Sequence, residues 1–205
     1  MATDKRLAVL SLSHGKPILM RAGYRDGLLV VVESKELPPD MRTIQNLLPG
    51  LLTKFKQKGY VLIVDEVISY FGAYGRPLRL EDTGSTGKPV LVSALEAYKS
   101  MDGYNMLQFS KGVVPIDIPD SIVEEEKDRD GRAVFNIDWD QLSPDSAALL
   151  LLVYAAVNDS FFDSSTANAM FAALRPSKSK QPAKSFQAAL MRLDVQKTKA
   201  VTGEK

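Results

Sequence analysis

Cysteine is absent from the 205 residues, which excludes disulfides and thiolate metal sites outright. The single histidine, His14, cannot build a multi-histidine metal site within one chain. No G-x-S-x-G stretch exists to hold an esterase-type nucleophile on a strained turn. Long apolar runs are missing as well. The longest, ALLLLVYAAV at 148–157, falls short of the roughly 20 residues that a membrane-spanning helix needs. The apolar patch in MATDKRLAVLSLSHGK is too broken for a signal peptide. These absences lead to the expectation of a soluble intracellular, cytoplasmic protein with no membrane partner.

Hydrophobic residues make up 45% of the chain and charged residues 25%, enough apolar material for the core of an ordinary globular domain. The net charge of +1 conceals a partition. Residues 1–89 hold 13 Lys+Arg against 9 Asp+Glu, whereas 115–163 hold 3 against 12 and 164–205 hold 8 against 2. Such blocks predict surfaces that meet different partners, or a basic tail that folds back on an acidic middle.

The apolar stretches RLAVLSLS, PILMRAG and GLLVVVES are separated by HGKP and YRDG, so an antiparallel meander is expected. In DMRTIQNLLPGLLTKFKQKG the apolar residues recur at helical spacing, with Asp40 placed to cap the start and Gly59 to end it. Pro49 lies inside that pattern and is expected to kink or split the helix. A strand YVLIVDE follows, then a short helix VLVSALEAYKSM and strands YNMLQFS and VVPIDI, the last at an edge because of Pro115 and Pro119. EEEKDRDGRAVFNIDWD predicts a hairpin about Asp130–Gly131. Ser143–Pro144–Asp145 is a helix start, and the run beyond it has no polar face, so that helix belongs in a core or an interface. SSTANAMFAALRP predicts another helix, SKSKQPAK a linker, and SFQAALMRL a short amphipathic helix. The expected class is α+β. One domain spans 1–175, β-rich to 142 and helical from 143, with a flexible basic tail at 176–205.

Two stretches imitate nucleotide chemistry. VLIVDE looks like an acid-bearing strand and GSTGKP like a phosphate loop. Aligning GxxxxGK on Gly87–Lys88 puts Asp82 at the first glycine and Pro89 at the Mg²⁺-binding hydroxyl, so the phosphate cradle is lost. The order of elements up to YVLIVDE would suit an RNase H-like nuclease, which needs two to four carboxylates around a metal pair. The first strand, RLAVLSLS, has no acid, which leaves Asp65 and Glu66; their simplest reading is a strand end with solvated acids. Glu126, Asp128, Asp130 and Gly131 start like a Ca²⁺ loop, but position 12 falls on Ile137. His14 is expected to be structural or superficial. No catalytic residue, cofactor or metal is therefore expected.

ISYFGAYGRPLRL interleaves Tyr70, Phe71 and Tyr74 with Arg76 and Arg79, and Lys99 and Lys111 repeat the pairing of cation with ring downstream. Single-stranded nucleic acid is bound by this mixture, with rings on bases and cations on phosphates. The bland alternatives are that the rings serve the core and that the arginines pair with Glu81 and Asp82. In the tail, Lys178, Lys180, Lys184 and Arg192 belong to a cationic arm suited to phosphate binding.

With the β-rich front, these ring and arginine positions and the charged tail, the layout resembles phage-encoded single-stranded-DNA-binding proteins. No signature motif is involved, the tail is basic where that type ends acidic, and five strands of an OB barrel cannot be placed. The resemblance implies a non-catalytic replication or transcription accessory, located in host cytoplasm if viral. Its partners would be single-stranded nucleic acid and a polymerase or other protein, and the apolar 144–157 helix would provide a surface for homo-oligomers. The other reading is a protein–protein adaptor or inhibitor that docks through the acidic 115–163 region.

Overall fold

The computed structural model describes residues 4–65, 75–84 and 86–158. Met1–Asp163 form one compact unit; Ser164–Lys205 lie outside the described residues. The helices expected beyond residue 163 and the linker between them lie outside them too.

The chain opens with three antiparallel strands, β1 (Lys5–Ser11), β2 (Ile18–Arg25) and β3 (Leu28–Glu36). Asp26 and Gly27 make the second turn with φ of 51° and 86°, the two positive values that a tight hairpin with the twist of its strands requires. Helix α1 (Met41–Gln57) starts where Asp40 accepts the N–H groups of Arg42 and Thr43. It ends at Gly59, whose φ of 72° suits a helix C-terminus. β4 (Tyr60–Val64) then docks parallel to β1, and β5 (Arg76–Pro77) parallel to β4. Helix α2 (Val90–Gly103) leads to β6 (Leu107–Phe109), which pairs parallel to β3. The resulting six-stranded sheet has the order β5-β4-β1-β2-β3-β6.

β7 (Val123–Lys127) and β8 (Ala133–Ile137) form a separate two-stranded hairpin. Its turn is closed by Asp128, whose Oδ1 accepts from the N–H of Asp130 and of Arg132, and by Gly131 at positive φ. Helix α3 (Pro144–Val157) begins at Ser143, whose hydroxyl accepts from Ser146 N–H. The fold is α+β.

Both faces of the sheet are covered, which explains why β1 reads as a continuous apolar run instead of an alternation. Leu7 and Val9 face α2 and α3 with Ile18, Met20, Leu29 and Ile63. Ala8 and Leu10 face α1 with Leu19, Leu62 and Val64, against Ile44, Leu48 and Phe55 of the helix. α3 is buried from Ser146 to Ala156, as its lack of a polar face requires.

Two expectations are corrected. α1 is not split at Pro49, which lies inside one continuous helix on its exposed side, where solvent can reach the carbonyl that proline leaves without a partner. VVPIDI is not a strand: 113–118 runs without ladder pairing, since Pro115 and Pro119 lack the donors a ladder needs. No helix among the described residues is long and apolar enough to cross a membrane.

Candidate nucleic-acid interface

α1 packs over β1 and β4, leaving a groove of about 300 Å³ between its flank and the outer face of β2 and β3. Leu47, Leu51, Lys54 and Phe55 line one wall, spaced so that all four fall on one side of the helix, and Lys58 follows just past its end. Leu19 and Arg21 of β2 and Glu33 and Lys35 of β3 line the other, with Leu37 at the end. Register fixes that second wall. Arg21 lies opposite Glu33 and Leu19 opposite Lys35, so all four side chains share one face.

The floor is apolar and the rim cationic. Four cations surround one acid, Glu33, and Arg21 Nε is paired with it. Lys35, Lys54 and Lys58 are exposed and form no ion pair among the described residues. Arg21 also lies over the Tyr60 ring at 5.5 Å, and Tyr60 meets Phe55 at 5.7 Å in a tilted pair. An aromatic pair thus stands behind an apolar slot with positive charge at its mouth.

The residues singled out in the sequence are placed elsewhere. Arg76 is half-buried in β5, and Arg79 Nε lies 3.4 Å from Glu81 Oε2, in the ion pair that competes with phosphate binding. Lys99 on α2 is 2.7 Å from Asp120, and Lys111 is exposed in the turn after β6. β5 and β6 are opposite edges of the sheet. Five strand intervals of about 4.8 Å separate them by roughly 24 Å, so Arg79 and Lys111 do not converge. Glu66, Tyr70, Phe71 and Tyr74 lie outside the described residues, as do Lys178, Lys180, Lys184 and Arg192. The groove cations were missed because the end of α1, with Lys54 and Lys58, is brought beside Arg21 and Lys35 of the β2–β3 hairpin only by packing. The available signal was the excess of basic residues in 1–89 and the LLTKFKQKG stretch, where lysines flank helix-period apolar residues.

A second cluster sits where β1 and β4 end. Asp65 is 1% exposed, which corrects the expectation of a solvated acid. Its carboxylate accepts from Ser11 Oγ at 2.7 Å, Leu12 N–H at 2.6 Å and Ser13 N–H at 3.2 Å. Burial raises its pKa above the ordinary value, and these donors together with nearby His14 offset only part of that. The imidazole of His14 stacks on Trp139 at 5.8 Å and 12°, with Nε2 buried, without a hydrogen bond, and 3.8 Å from Glu81. The middle of β1 is Ala8 and Val9, both fully buried. Among the described residues no group of three potential metal ligands occurs, and the Asp65 carboxylate is already engaged by three donors. In the loop that imitates a phosphate cradle, Lys88 is 2.7 Å from Glu96.

No protein-family model matches the chain, and no curated protein matches it significantly.

Proposed function

We propose that the chain is a non-catalytic binder of single-stranded nucleic acid, an accessory to replication or transcription, and that the α1–β3 groove receives the strand. The observation that carries this reading is the set of exposed lysines 35, 54 and 58 around an apolar floor. Cations at the mouth favour phosphate by counterion release, and an apolar slot lined by Leu19, Leu51 and Phe55 suits the face of an unstacked base. A duplex keeps its base faces stacked inside and would offer the slot nothing. Cations on the 164–205 segment would add further phosphate binding that carries no sequence information.

The test is fluorescence anisotropy with labelled single-stranded DNA, RNA and duplex DNA across a salt series. Replacing Lys35, Lys54 and Lys58 together by Ala should weaken single-strand binding. It should also flatten the log–log salt dependence by about 2, at roughly 0.7 for each single-strand phosphate that is no longer neutralised. A triple variant with the wild-type slope, or wild-type protein that prefers duplex, would sink the proposal.

A further inference from the structure

β3 is longer than its neighbour. β6 pairs with Leu29, Val30 and Val31 only, and Ser110 N–H ends the pairing with a bond to Val31 O at 2.9 Å. Beyond that point β3 runs on to Glu36, and among the described residues no strand pairs with its outer side there. Leu37 N–H bonds Pro17 O across the β2 side at 2.8 Å, so strand alternation turns the backbone of Ser34 and Glu36 outward. Ser34 Oγ meanwhile bonds Asp145 Oδ1 at 2.8 Å, which holds this edge against the start of α3 and leaves its backbone groups free to pair. Val32, at the bulge in the ladder, is 40% exposed.

The open half reads VESKE, and its charges are self-complementary. An antiparallel copy paired about a two-fold axis at Ser34 puts Glu33 opposite Lys35 of the second copy and Lys35 opposite its Glu33. Val32 then faces Glu36 of the second copy. No like charges within the open half stand directly opposite one another, whereas an edge built only to repel other strands would place them so. We propose that the occupant of this edge is a second copy of this chain, joined through β3 in an isologous, antiparallel contact. Because such an axis is perpendicular to the sheet, both α1 grooves lie on one face of the joined sheet. The pairing does not depend on the nucleic-acid reading; it turns Lys35 toward Glu33 of the second copy and leaves Lys54 and Lys58 of each groove outside the contact.

Sedimentation of the full chain without nucleic acid is the test. With rising concentration the wild type should move from one chain mass, 22.5 kDa, towards twice that mass. Lys35→Glu alone and Glu33→Lys alone should each stay at one chain mass, and an equimolar mixture of the two should regain the doubled mass. Circular dichroism melts check that each variant is folded. Ser34→Cys supplies a measurement that needs no charge change. The chain has no other cysteine, and directly opposed Cα atoms of a hydrogen-bonded pair lie about 5.5 Å apart, within disulfide reach. Mild oxidation should cross-link Ser34→Cys into a covalent dimer much faster than Val114→Cys, which is exposed and off this edge. Wild type that keeps one chain mass at millimolar concentration would overturn the proposal. So would charge variants that associate like wild type, or equal cross-linking at the two cysteines.

Discussion

Asp65 shows how one side chain can tie two strand ends together. The turn after β1 has no regular partner for the N–H groups of Leu12 and Ser13, and the carboxylate takes both. Asp65→Ala would leave them without that acceptor, at about 1–3 kcal/mol for each group that stays buried and unpaired. The pH dependence follows from the raised pKa. Because burial favours the protonated form in the fold, the contribution of this group is fully present below the ordinary 3.8 and is lost as pH rises through the higher folded value. Urea melts of wild type and Asp65→Asn in parallel should therefore show the wild-type advantage shrinking as pH rises from about 3.8, since Asn does not titrate. An advantage that grows over that range would mean that the three donors outweigh burial.

At the scale of elements, α1 depends on its first turn. Asp40 is fully exposed, and its pKa is lowered by the Thr43 hydroxyl first and then by the N–H groups of Thr43 and Arg42. The sign is opposite to that of Asp65. The cap contributes above the ordinary 3.8 and is lost as pH falls through the lower folded value. Amide exchange at Thr43 should accelerate below that pH relative to amides in the middle of α1, while Asp40→Asn should show no such step. Local weakening here matters for the groove, because α1 carries Leu47, Leu51, Lys54 and Phe55.

For the whole molecule, α3 is the shared core. It packs against α2 and against β1, β2 and β3, and Leu149 and Leu150 are fully buried. Leu150→Ala should cost about 2–5 kcal/mol, the range for deleting a buried leucine side chain where the surroundings collapse only in part. Leu47→Ala, at a site 44% exposed on the groove wall, should cost far less. Chemical denaturation of the two variants under identical conditions checks the ordering, and equal losses would contradict the burial of α3.

Local chemistry made much of this protein legible before its shape was known. Asp26–Gly27 sets a tight turn, Asp40 and Ser143–Pro144 set helix starts, and Asp130–Gly131 closes a hairpin, because each depends on residues within a few positions of one another. The apolar run 148–157 implied burial on all sides by itself. The parallel pairing of β4 with β1 and of β6 with β3 was not legible, since hydrophobic pattern is the same for either neighbour. For that reason Asp65 read as solvated although the end of β1 covers it, and the groove went unseen although its lysines stand in plain view along the chain. Arg79 and Lys111 read as one surface because both lie near aromatic residues, yet a sheet five intervals wide separates them. Sequence determined the elements, and local ion pairs such as Arg79–Glu81, through short-range capping, turn, burial and charge rules. Tertiary structure alone decided that Asp65 is covered and that α1 lies beside β2 and β3, because that depends on pairing between strands far apart in the chain.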